Sequence, residues 1–188
     1  MVIVRWLLLL ALLGGCATAP KPNRPDIMYT PLTQFQLQGR ISVKAGDEVI
    51  SGNLDWTYAV SAERLQLVAP LGAGGIEVRR EGAHIRLTDP QGKVQETDRG
   101  IDGLAELLGG LRLPLDRLPW WLAGASQDEA VVIREYHADG SLAVLIQDGW
   151  RIEYTRPQTH AGRWLPGRII ARYGERIEIR LVVDSWKL

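Results

Sequence analysis

The chain of 188 residues holds a single cysteine, Cys16, and a single phenylalanine, Phe35. One thiol excludes an intrachain disulfide framework and a cysteine-based zinc cluster. Neither sign of charge is in excess, since 22 Lys+Arg meet 22 Asp+Glu. That balance argues against a nucleic-acid-binding domain, where a basic surplus is expected. Catalytic signatures are scarce as well. No G-x-S-x-G elbow occurs, and Glu77 stands where the last glycine of a G-x-G-x-x-G loop starting at Gly72 belongs. His84, His137 and His160 lack the i, i+4 spacing of a helical metal site. No enzyme, cofactor or metal is expected. What the chain does have is 46% apolar residues with 23% charged, the composition of one globular domain with a substantial core. Seven tryptophans suit cavity walls or wet boundaries, where an amphipathic ring has both surroundings it needs.

Residues 1–15 read as a secretory leader: Arg5, the apolar stretch Trp6 to Leu13, then Gly14-Gly15 before Cys16. The stretch is shorter than the roughly 20 residues of a permanent spanning helix. Leu13-Gly14-Gly15-Cys16 resembles a bacterial lipobox. That resemblance implies cleavage before Cys16, a diacylglyceryl thioether on its sulfur and an acyl group on its new amino terminus. Ala17, in place of an aspartate, implies the outer membrane, with the protein facing the periplasm. Residues 16–33 then form a tether. Its prolines (Pro20, Pro22, Pro25 and Pro31) favour an extended spacer of about 3.1 Å per residue.

Residues 34–188 carry the fold. Phe35, Leu37, Gly39, Ile41 and Val43 alternate with polar residues, as do Leu54, Trp56 and Tyr58. Period-two alternation predicts strands with one dry face. Further strands are predicted over 63–69, 76–80, 83–88, 93–96, 131–136, 142–147, 150–155, 168–173 and 176–184, about eleven in all and mostly antiparallel. Arg79, Arg80, Arg172 and Arg176 are expected on a solvated face. Only the middle reads helical: Leu104, Leu107, Leu108 and Leu111 make an amphipathic stripe that Gly109-Gly110 ends. A second segment holds Leu115, Leu118, Trp121 and Leu122, with Pro119 marking either a kink or the first turn of a shorter helix.

An open sheet of eleven strands tends to curl. Two short helices cannot fill its concave face, which leaves either a barrel packed by its own side chains or a hollow under a helical lid. The inward positions expected to line a hollow are Leu37, Ile41, Leu54, Trp56, Tyr58, Leu67, Leu107, Leu118, Trp121, Trp150, Ile152, Tyr154, Ile179 and Leu181. The link Pro70-Leu71-Gly72-Ala73-Gly74-Gly75 contains no charge, although links between strands are usually polar. Leu71 in it is either an exposed apolar plug or a residue folded back on the core.

Several segments together resemble the outer-membrane lipoprotein receptor family LolB. They are Gly39-Arg40-Ile41, Gly52-Asn53-Leu54-Asp55-Trp56, Pro70-Leu71-Gly72, Leu113-Pro114-Leu115, Trp121-Leu122-Ala123-Gly124, Gln147-Asp148-Gly149-Trp150, Leu165-Pro166 and Asp184-Ser185-Trp186. The resemblance implies an incomplete antiparallel β-barrel of about eleven strands with a short α-helical lid over a hydrophobic cavity. It implies a receptor that accepts lipoproteins from a LolA-like periplasmic carrier and holds their acyl chains. Pro70, Leu71 and Gly72 would form the loop that delivers this cargo into the outer membrane. The partners expected are that carrier, the acyl chains and the membrane holding the chain's own anchor, with the protein a monomer. The alternative reading is a structural envelope lipoprotein, a tether or scaffold with a filled interior.

Overall fold

The computed structural model describes residues 29–70, 74–108, 110–111, 113–126 and 132–188. Six strands lead: β1 (Gln34–Ala45), β2 (Glu48–Ala59), β3 (Ala62–Val68), β4 (Gly75–Glu81), β5 (His84–Thr88) and β6 (Val94–Thr97). Two helices follow, α1 (Gly100–Leu107) and α2 (Leu118–Leu122). Five strands close the chain: β7 (Ile133–Tyr136), β8 (Leu142–Gln147), β9 (Trp150–His160), β10 (Arg163–Tyr173) and β11 (Ile177–Lys187). All eleven join one antiparallel sheet in the order β6-β5-β4-β3-β2-β1-β11-β10-β9-β8-β7. The chain starts at the middle of the sheet and works outward to one edge. It crosses to the other edge through the helices and works back until β11 pairs with β1. Both free edges, β6 and β7, therefore flank the helical connection, and the incomplete barrel is spanned there rather than closed by hydrogen bonds.

The alternation read from the sequence holds where the strands are regular. In β1 the buried positions are Phe35, Leu37 and Gly39, and in β2 they are Gly52, Leu54 and Trp56. Gly39 is required by close approach, since a Cβ there would lie 2.2 Å from the Val182 carbonyl oxygen. Beside it the β1–β11 register shifts, so Gln38 faces Ser185 while Gly39 faces Val183. That bulge flips the parity of β11, which brings Trp186 inward and carries the strand to Lys187, beyond the predicted end at Asp184. The β9–β10 hairpin likewise runs past Thr155 to His160, with Pro157 opposite Pro166. Pro119 occupies the first turn of α2, where a missing N–H costs nothing. Among the described residues no helix is long and apolar enough to cross a membrane.

The outer face of the sheet is laced with exposed or partly exposed ion pairs, including Arg64–Glu77, Arg79–Glu77, Arg86–Glu96 and Arg172–Glu178. Arg80 departs from the solvated face expected of it. It falls on the inward parity of β4 and pairs with Glu63 at 3.1 Å, both side chains mostly buried.

Candidate functional site: an apolar cavity beneath the helical connection

Inside the curve, the interior divides into a packed half and a hollow half. On the β8–β10 side, Leu142, Leu145, Ile152, Tyr154 and Leu165 are fully buried with Trp121 and Leu122 of α2. Trp121 is pinned twice: its Nε1 donates to Gln147 Oε1 at 3.0 Å, and its carbonyl accepts from the Tyr154 hydroxyl at 2.9 Å. Burial pushes the Tyr154 phenol far above its ordinary range, so it remains a donor. On the other side, α1 is seated by Leu104 in a second cluster with Val78, Ile85 and Leu87.

Between these two anchor points lies a cavity of about 120 Å³. The sheet contributes Ile41, Val43, Ile50, Leu54, Trp56, Leu65, Leu67, Ile76, Val78, Ile169, Ala171, Ile179 and Leu181. The connection above contributes Leu108, Leu111, Leu113, Leu115, Leu118, Trp121 and Leu122. Among the described residues every one that lines it is apolar, and the two tryptophans turn their only polar atom away. Trp121 Nε1 is held by Gln147, and Trp56 Nε1 donates to Glu63 Oε1 at 2.7 Å. Glu63 also accepts from Arg80 Nε at 3.1 Å. Burial raises the Glu63 carboxyl above its ordinary value, against the lowering effect of Arg80 and the Trp56 N–H. With no polar group of the described residues aimed into it, such a space stays dry and favours hydrocarbon.

The structure brings eight of the expected residues to this wall: Ile41, Leu54, Trp56, Leu67, Leu118, Trp121, Ile179 and Leu181. Leu37, Ile152 and Tyr154 lie in the packed half, and Trp150 sits between Trp121 and Tyr173 with its ring tilted against both. Tyr58 stacks on Phe35 at the far end, and Leu107 packs with α1 against the second cluster. Pro70 is exposed, while Leu71, Gly72 and Cys16 lie outside the described residues. Sequence reading did not assign Leu65, Ile76 and Val78 to the wall, although their alternation was visible. It read Leu108 and Leu111 as part of a helical stripe, whereas α1 ends at Leu107 and both line the cavity from the connection, with Leu113 and Leu115. His84 pairs with Asp98 at 2.8 Å, and among the described residues no three potential metal ligands gather.

A family model described as "LolB: Outer membrane lipoprotein LolB" matches residues 33–186. An outer-membrane lipoprotein LolB from Dechloromonas aromatica is 34% identical over 187 residues, covering 96% of this chain and 95% of that one. The protein of that name from Thiobacillus denitrificans is 33% identical, covering 93% and 91%. The one from Pseudomonas paraeruginosa is 32% identical, covering 95% and 92%. Among solved structures, a LolA superfamily protein from Nitrosomonas europaea aligns at 11% identity and a TM-score of 0.49, over 85% of this chain and 87% of that one. With the match spanning nearly the whole sheet and the connection across it, the chain belongs to the outer membrane lipoprotein LolB family.

Proposed function

We propose that this protein is a lipoprotein receptor anchored in the outer membrane through acylated Cys16. It takes lipoproteins from a LolA-like periplasmic carrier, shelters their acyl chains in the cavity beneath the helical connection, and releases them into the inner leaflet. The observation that carries this reading is the wall itself, some twenty apolar residues with both tryptophan N–H groups satisfied elsewhere.

The energetics need no nucleotide. Exposing acyl chains to water costs on the order of 0.8 kcal/mol per CH₂, so three chains face tens of kcal/mol in an aqueous crossing. Passing from one apolar cavity to another avoids most of that, and final insertion into a bilayer is downhill. A void of about 120 Å³ accommodates a group of roughly benzene size, far short of a fatty acyl chain. Loading therefore requires the segment from Leu108 to Leu118 to lift between its seats at α1 and α2, and cargo replaces the leucine contacts that are lost. Leu71, in the uncharged link after Pro70, is the residue assigned to delivery.

The test is binding of a solvatochromic apolar dye to the purified protein, followed by competition with a triacylated lipoprotein. The expected result is dye emission shifted to the blue and lost on addition of lipoprotein. Absence of dye binding would leave the scaffold reading in its place.

A further inference from the structure

The cavity opens at one identifiable end. Ile50 lines it and is still 43% exposed, so this side chain stands in the opening. Register fixes which end this is. β1 and β2 pair down to Ala45↔Glu48, whereas β3 stops at Val68 opposite Asn53, so the β1–β2 hairpin projects beyond β3. The β10–β11 turn reaches the same level, where the Gly46 N–H donates to the Arg176 carbonyl at 2.9 Å. Exposed aliphatics collect around this mouth: Val49 at 60% and Val68 at 40%, with Lys44 beside Val49 on the outer face. Asp47 and Glu48 at the turn are exposed too, which suits a hairpin lying among headgroups and not one entering hydrocarbon.

The chain enters the domain at the opposite end. Thr30 is held there by Arg163 Nη2, at 2.5 Å to its carbonyl and 2.7 Å to its hydroxyl, at the start of β10. The twelve residues of β1 extend about 40 Å along the strand, or about 30 Å of height at the tilt usual in barrels. Thirteen residue steps separate Cys16 from Tyr29, and fully extended they reach at most about 43–47 Å. The tether is thus long enough, with little to spare, to run back along the outside of the barrel.

We infer that the domain docks mouth-first on the bilayer that holds its own anchor, with Val49, Ile50 and Val68 meeting the lipid surface, an orientation that the reach of the tether permits. This rests on the receptor reading for its lipid at Cys16, and it adds the orientation and the contact residues. An acyl chain leaving past Ile50 then enters lipid directly, without crossing water.

The test uses the full lipidated protein in vesicles of phosphatidylethanolamine and phosphatidylglycerol containing spin-labelled lipid. Val49→Cys or Val60→Cys carries an environment-sensitive fluorophore; Val60 is 66% exposed at the opposite end, and the Cys16 sulfur is already consumed in its thioether. Quenching is expected to be at least threefold stronger at 49 than at 60. Equal quenching, or quenching only at 60, overturns the orientation. Deleting residues 17–22 leaves a reach of at most about 25 Å and should reduce quenching at 49 to the level at 60. Undiminished quenching in the deletion overturns mouth-first docking on the bilayer that holds the protein's own anchor. A preparation that takes lipoprotein from the carrier but shows no quenching at 49 sinks this inference alone. One that quenches at 49 yet takes up no lipoprotein sinks the receptor reading and supports the docking geometry.

Discussion

The hydroxyl of Tyr154 donates to the backbone carbonyl of Trp121 at 2.9 Å across a fully buried contact, tying β9 to the helix that walls the cavity. The same carbonyl also accepts from the Gly124 N–H at 2.9 Å. Tyr154→Phe therefore removes a bond without orphaning its acceptor, and the expected cost is about 1 kcal/mol, the net value of an ordinary hydrogen bond. Urea unfolding checks this, with the midpoint moving and the slope unchanged. A loss well above that would mean that the hydroxyl organises the packed half beyond this one contact.

That division into packed and hollow halves is the part of the interior the sequence hides. Parity places Leu37, Leu54, Trp56 and Ile152 on the concave side correctly, because a strand's dry face is a local property. Whether a concave residue meets a void or the flank of Trp121 depends on where the connection between the two edges comes to rest. No window of sequence contains that information. The bulge at Asp184 and the paired prolines of β9 and β10 are equally non-local, since each depends on the neighbouring strand. The eleven-strand count and the helical middle were legible because period is read within one element, while Pro119 left a kink and a helix start open and the structure has the latter.

Helix α1 approaches β6 at Gly103, where a Cβ would lie 2.2 Å from Thr97 Oγ1. Alanine is intrinsically better in a helix by about 1 kcal/mol, yet Gly103→Ala is expected to destabilise by about 1–3 kcal/mol because the helix must move off the sheet. Thermal unfolding decides the sign. A stabilised variant would show that α1 sits more loosely on β6 than this spacing allows.

Acid acts on the fold in two opposite ways, separated by pH. Glu63, raised by burial, binds a proton more readily folded than unfolded. Its contribution to stability therefore grows as pH falls from neutral toward the ordinary carboxylate value of 4.5 and is constant below it. Glu77, lowered by hydrogen bonds from Arg79 and Arg64 against some desolvation, contributes stability that is lost only below 4.5. The stability difference between wild type and Glu63→Gln should accordingly shift in favour of the wild type between pH 7 and 4.5, and then stop changing. Denaturant titrations at stepped pH read it directly, and a difference independent of pH would contradict the raised carboxyl.

Filling the void separates stability from binding. Ala171 is 1% exposed on the cavity wall. Ala171→Leu adds three carbons to empty apolar space, with an expected gain of up to about 1 kcal/mol. Affinity for the apolar dye should fall at least tenfold, because the added group occupies the space the ligand needs. Calorimetric unfolding and fluorescence titration of the same preparation check both halves. Unchanged dye affinity would move the binding site elsewhere.

Delivery and acceptance can be separated in the same way at the link after β3. An acidic group at position 71 cannot enter hydrocarbon without a cost of several kcal/mol. Leu71→Glu is therefore expected to accept lipoprotein from the carrier at the wild-type level and to leave it poorly inserted. The measurement is a two-stage transfer assay: labelled lipoprotein on the carrier is first moved to the receptor, then followed into vesicles by flotation. Normal flotation of the cargo would remove Leu71 from delivery, and the exit would then depend on the mouth at Ile50. Loss of the first stage would instead place Leu71 in contact with the carrier.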